Sequence, residues 1–210
     1  MKPIFVVLEG LDGSGTSTQA RLLCEQLRMR YGKRVRVTSE PSSGPVGQMI
    51  RSSMSGRLRF SNTQAVFDRQ MAYLFAADRH DHLYNDTDGV FKLIADGYFV
   101  ISTRYFFSSY AYHCVNPEEF RFIHALNQSF PNPDATIYLD IDVETSIARL
   151  SERNHLDLYE NPEKLRIVKA NYSAIFSQYA GSFKILNGHL PEKELADSCL
   201  SFVREVSRDG

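Results

Sequence analysis

The sequence predicts an α/β protein in which helices cover both faces of a mostly parallel sheet. Two observations carry this. Short apolar, β-branched runs alternate with longer amphipathic stretches from one end of the chain to the other. The first of these runs ends in a glycine-rich turn that leads directly into a helical pattern. No repeat, low-complexity tract or long linker divides the chain, so right-handed crossovers through helices are the simplest connection.

"IFVVLE" (4–9) reads as a buried strand, and the helix after the turn runs through "TQARLLCEQLRMRYG" to a stop at Gly32. "RVRVTSE" (34–40) alternates as a second strand. "VGQMIRSSM" (46–54) and the long apolar "TQAVFDRQMAYLFAADRHDHLY" (63–84) read as helices. "YFVIST" (98–103), "ATIYLDI" (135–141) and the weaker "FKIL" (183–186) complete five strands. Helices fill the gaps, including those over 145–153, 162–179 and 191–206. Ligands of such sheets sit beyond the carboxyl ends of the strands, so functional residues are expected just after each run.

With 210 residues the chain can bury a full core as one domain. A net charge of −1 argues against broad binding to a nucleic-acid backbone. Cys24, Cys114 and Cys199 form neither a metal-ligand cluster nor a disulfide framework, which fits a reducing compartment. The apolar start is too short for a signal-peptide core or a membrane span, so no membrane association is expected and the localisation expected is cytoplasmic.

"LEGLDGSGTSTQ" (8–19) carries the chemistry. Gly10, Gly15 and Ser17 have the spacing of the phosphate-binding loop G-x-x-x-x-G-K-[S/T]. Asp12, Gly13, Ser14 and Thr16 complete the loop with them, and Thr18 begins the helical stretch that follows. Inward amides and the positive helix end hold an anionic phosphate there, while the Ser17 hydroxyl is placed for Mg²⁺. Thr16 stands where this loop has its lysine. Nucleotide binding can survive on backbone donors, but phosphoryl transfer then needs a cation from elsewhere.

Six segments, in order, resemble the thymidylate kinases, P-loop kinases that phosphorylate dTMP with ATP. They are "LEGLDGSGTSTQ", "TSEPSSGPVGQMIR" (38–51), "LFAADR" (74–79), "TRYFFSSYAY" (103–112), "PDATIYLDID" (133–142) and "RLSERNHLDLYE" (149–160). The resemblance implies a P-loop NTPase three-layer α/β/α sandwich over residues 1–210, a lid at about 149–160, a homodimer, and ATP with Mg²⁺ as cofactors. It places the acceptor's phosphate on the Glu40–Pro41 segment, Arg51 and Arg104, and thymine on Phe75 and Arg79. Phe75 and Arg79 are four apart and share a helix face, although Phe75 alone also fits an apolar core. The resemblance sets Tyr112 beneath a deoxyribose, Asp12 near the acceptor sugar and Tyr159 near the substrate. Ser108 and Ser109 could tolerate other bases, which leaves a different deoxynucleotide acceptor as an alternative.

Three departures accompany the match. Thr16 replaces the lysine, Thr103 replaces the aspartate of the family's D-R pair, and His113 replaces the glutamine after the A-Y pair. Glu40 is the nearest substitute carboxylate for Mg²⁺. Arg153 is the expected lid cation on the transferring group, and Arg149 is expected nearer the adenine. A non-catalytic nucleotide-binding regulator on the same fold is the rival reading, and the missing lysine and aspartate are its case.

Overall fold

The computed structural model describes residues 2–32, 34–151 and 161–209. Its core is a five-stranded sheet in the order β2-β3-β1-β4-β5, from β1 (Phe5–Gly10), β2 (Val35–Ser39), β3 (Phe99–Thr103), β4 (Ala135–Asp140) and β5 (Phe183–Asn187). Every pairing is parallel. The first apolar run is therefore the central strand, which explains why it is apolar on both faces. Phe5 and Val7 enter a core that includes Tyr138, Tyr172 and Phe176. Val6 and Leu8 enter the opposite core with Leu23, Leu27, Leu195 and Val203. β2 and β5 lie at the edges, and their mixed burial matches their weaker apolar signal.

Helices α1 (Thr16–Tyr31) and α9 (Glu192–Asp209) cover one face. The other face carries α3 (Gln64–Tyr84), α5 (Phe106–His113) and α8 (Pro162–Gln178), with α2 (Pro45–Met54), α4 (Val90–Ala95), α6 (Pro117–Asn127) and α7 (Val143–Ser151) completing the chain. The expected helices over 46–54, 63–84, 162–179 and 191–206 all form, within a few residues at their ends. α8 starts where Asn161 accepts from the amide of Lys164 and Pro162 opens the first turn.

Helices α4, α5 and α6 were not specified by periodicity. α5 is "FFSSYAYH", and its buried residues spread around its circumference. It is wedged among α3, α6 and α8, so no polar stripe reveals it. α6 is announced by its cap instead: Asn116 accepts from the amides of Glu118 and Glu119. The parallel register brings Gly10, Ser39, Thr103 and Asp140 to one edge of the sheet. The candidate site lies along that edge.

Candidate active site

The loop after β1 is shaped for an anion. Gly13 and Gly15 have φ of 80° and 95°, a left-handed backbone that side chains rarely adopt. Gly15 is the N-cap of α1 and among the described residues no side chain caps that helix, so its first amides are open to a ligand. The Ser14 hydroxyl is buried there without a partner among the described residues. Thr16 is buried, Ser17 is exposed and Thr18 is half-buried on the first turn. This orphaned hydroxyl and open helix end fit a nucleotide's phosphates, and the Ser17 hydroxyl suits Mg²⁺ as an oxygen ligand. Among the described residues no three His, Cys, Asp or Glu side chains could hold a metal by themselves.

Arg104 anchors the next layer. Its Nη1 donates to the Gly10 carbonyl at 2.6 Å and the Tyr172 hydroxyl at 3.0 Å, and its Nη2 meets Asp12 Oδ1 at 2.5 Å. The guanidinium lies over the Tyr112 ring, 5.2 Å from its centroid, while Tyr112 donates to Asp12 Oδ2 at 2.7 Å. A φ of 74° at Arg104 turns the chain sharply at the end of β3, a conformation costly for a bulky residue. Glu9 lies beneath, fully buried. It accepts from the Tyr105 amide at 2.7 Å, Ser108 Oγ at 2.7 Å and the Tyr172 hydroxyl at 2.8 Å. Burial pushes its carboxyl above the ordinary range, opposed by the Arg104 charge and these donors.

Asp12, Arg104, Tyr105, Ser108, Ser109 and Tyr112 line a cleft together with Glu40, Pro41, Met54, Phe75, Arg79 and His113. Phe75 and Arg79 do share this cleft, as their spacing suggested. Arg79 is 1% exposed and heavily bound. Its Nε and Nη2 lie 2.9 and 2.7 Å from Glu40 Oε2, Nη2 reaches Ser109 Oγ at 3.1 Å, and Nη1 donates to Asn127 Oδ1.

The remaining sites differ from expectation or extend it. Glu40, expected near Mg²⁺, has Arg79 on one of its oxygens and His82 Nδ1 3.2 Å from the other. Glu40 also lines the cleft, whereas Ser17 lines a separate cavity with Thr103. Arg51 does not line the cleft, because its guanidinium donates to the carbonyls of Pro41 and Ser42 and so ties down that loop. Arg149 reaches the phosphate loop, donating to Gly13 O at 3.0 Å and to Gly188 O at 3.4 Å. Arg153 and Tyr159 lie outside the described residues.

Glu9, Tyr172, Asn127 and His82 were missed as site residues. Glu9 did leave a signal, as the one charged residue in an otherwise apolar strand. The others come together only through the fold.

His113 faces the cleft beside Phe75, with ring centroids 5.6 Å apart. Burial lowers its pKa to about 3, helped by the charges of Lys164 and Arg79. The imidazole is therefore neutral beside Phe75 in the cleft. The unfolded chain protonates it near the ordinary histidine value of about 6.5. Stability linked to His113 is thus complete above that pH and is lost as pH falls toward about 3. Chemical denaturation of His113→Gln across this window should show a shallower acid-side loss than wild type. Parallel curves would rule out this contribution.

The thymidylate kinase family profile matches residues 8–199. Proteins named "Probable thymidylate kinase" are similar along most of the chain. That of Methanococcus aeolicus is 35% identical over 186 residues, covering 89% of this chain and 85% of the relative. That of Pyrobaculum aerophilum is 34% identical over 204 residues, covering 97% and 98%. The profile match spans the phosphate loop, the residues that line the cleft and most of the helices around them, and with relatives of this likeness the chain belongs to the thymidylate kinase family.

Proposed function

We propose that this chain transfers the γ-phosphoryl group of ATP to dTMP, giving dTDP and ADP. The carrying observation is the Arg104–Asp12 pair, set between an anion-shaped loop and a cleft ending in Phe75 and Arg79. The loop amides bind the donor phosphates and Ser17 holds Mg²⁺, which when bound neutralises charge on them. Arg104 orients the acceptor phosphate in line with the donor, with Arg51 steadying the Glu40–Pro41 loop. Phe75 stacks on the base, and Arg79 retains an Nη1 hydrogen for a base carbonyl. The Tyr112 ring, fixed by its hydroxyl on Asp12, closes the space a ribose 2′-hydroxyl needs. Arg149 and Arg153, at the start of a lid over about 149–160, supply the cation that Thr16 does not.

The assay is ADP production from Mg·ATP with dTMP, dUMP, dCMP, dGMP and AMP offered separately. Turnover favouring dTMP supports the reading, and turnover favouring another deoxynucleotide replaces the acceptor. Binding of ATP and dTMP without turnover identifies a regulator, the reading that Thr16 itself favours. Thr16→Lys sharpens the choice. If the arginines already compensate, the lysine changes kcat only slightly. A rise of about a thousandfold from a negligible baseline, the scale of a supplied arginine finger, would refute compensation.

The same reading includes a homodimer. Val66 and Tyr73 are exposed on α3, with Tyr73 packed edge-on to Phe122 of α6 at 5.2 Å. Light scattering of the purified protein tests it. A cytoplasmic setting is supported by three buried, unpaired cysteines. Among the described residues no helix is long and apolar enough to cross a membrane. The near-neutral charge favours nucleotides over nucleic acid as partners.

A further inference from the structure

A second cavity opens at the carboxyl edge of the sheet, where Ser17, Thr38, Asp81, His82 and Thr103 are among the residues that line it. Two buried polar atoms of these residues, His82 Nε2 and Thr38 Oγ1, lack partners among the described residues. His82 is only 5% exposed, so an unused ring nitrogen there is costly unless something in the cavity engages it.

The other side of the ring determines what that something is. Nδ1 lies 3.2 Å from Glu40 Oε1, and a carboxylate can only accept. In the neutral ring the hydrogen on Nδ1 is the one Glu40 can accept, which leaves Nε2 with its lone pair. A histidine held by a carboxylate in this way is the arrangement proteins use to orient the ring around metal ions.

The neighbouring strand end supplies the need. Thr103 terminates β3 and lines the same cavity as Ser17, with a neutral hydroxyl in place of an acid. Mg²⁺ gives up water reluctantly, so groups around it act largely by accepting hydrogen bonds from its bound waters. We propose that His82 Nε2 performs this work, accepting from a water on the nucleotide-bound divalent cation, with Glu40 as the residue that fixes its tautomer. This rests on the reading that a metal–nucleotide complex binds at Ser17.

The test is titration of Mn²⁺ into the protein–ADP complex, followed by electron paramagnetic resonance. His82→Ala should weaken Mn²⁺ binding about tenfold or more, as loss of outer-shell partners does. In a Thr103→Asp background, where a carboxylate is restored, the same change should cost little. Equal Mn²⁺ affinity in wild type and His82→Ala, with ADP bound to both, would overturn the role of His82 alone. Equal loss in the two backgrounds would overturn it too, by showing that His82 does not replace the acid. Failure of ADP to bind the wild type would overturn this inference and the nucleotide reading together. Because His82→Ala disturbs Glu40, the wild type provides an independent check. The assigned His82 imidazole should show an unprotonated Nε2 at neutral pH, and its nitrogen resonance should move when Mg²⁺ joins the ADP complex. A protonated Nε2, or a resonance unmoved by Mg²⁺, overturns the proposal without any substitution.

Discussion

Arg104→Ala should lower kcat/KM for phosphoryl transfer about a thousandfold, the upper scale for loss of one preorganised charge-stabilising group. ATP affinity should change little, because the loop amides and the uncapped start of α1 are untouched. Arg104 is gripped on one side by Gly10 O and on the other by Asp12 and Tyr172. This grip is tight enough to sustain a φ of 74°. Among the described residues, removing the guanidinium leaves the Asp12 carboxylate bound through Tyr112 alone, so the acceptor side loses both its charge and its alignment. Arg104→Lys should stay severely impaired, since an ammonium cannot span Gly10 O and Asp12 as the planar fork does. Steady-state kinetics with saturating ATP and varied dTMP, beside equilibrium ATP binding, separate the effects. Activity within about tenfold of wild type, well below the expected loss, would remove Arg104 from the transfer step.

What could be read from the sequence follows how local each signal is. The phosphate loop is contiguous, and its glycines, hydroxyls and flanking strand and helix all lie within residues 4–31. Phe75 and Arg79 share a helix, so spacing alone placed them on one face. Glu40 shows the limit. As a carboxylate after β2 it looked available to a metal, but its partners Arg79 and His82 stand 39 and 42 residues further on. Tyr172 and Glu9 are 163 residues apart and meet only because α8 packs back over β1 and β4. The aromatic helix α5 failed the periodicity test for a related reason. Its surroundings are protein on nearly every side, so burial left no stripe.

That buried arrangement sets the largest expected effect on stability. Arg79 and Glu40 are 1% and 2% exposed, and the guanidinium also satisfies Asn127 and Ser109. Arg79→Leu keeps much of the volume but strands the Glu40 carboxylate in the interior with His82 alone. Breaking one side of such a pair costs about 3–5 kcal/mol. For a chain of this length that corresponds to a fall in Tm of about 10 °C. The double variant Arg79→Leu/Glu40→Gln should recover a substantial part of the loss, because the penalty comes from an uncompensated charge more than from a missing attraction. Recovery of stability should not restore the acceptor site, since neither variant offers a guanidinium to a base. KM for dTMP should therefore stay raised in the double variant even as its melting temperature climbs. Equal destabilisation of the single and double variants would place the cost in packing around Asn127 and Ser109, leaving the Glu40 charge as a bystander. Recovery of both stability and KM would show that Arg79 holds the cleft open without touching the base.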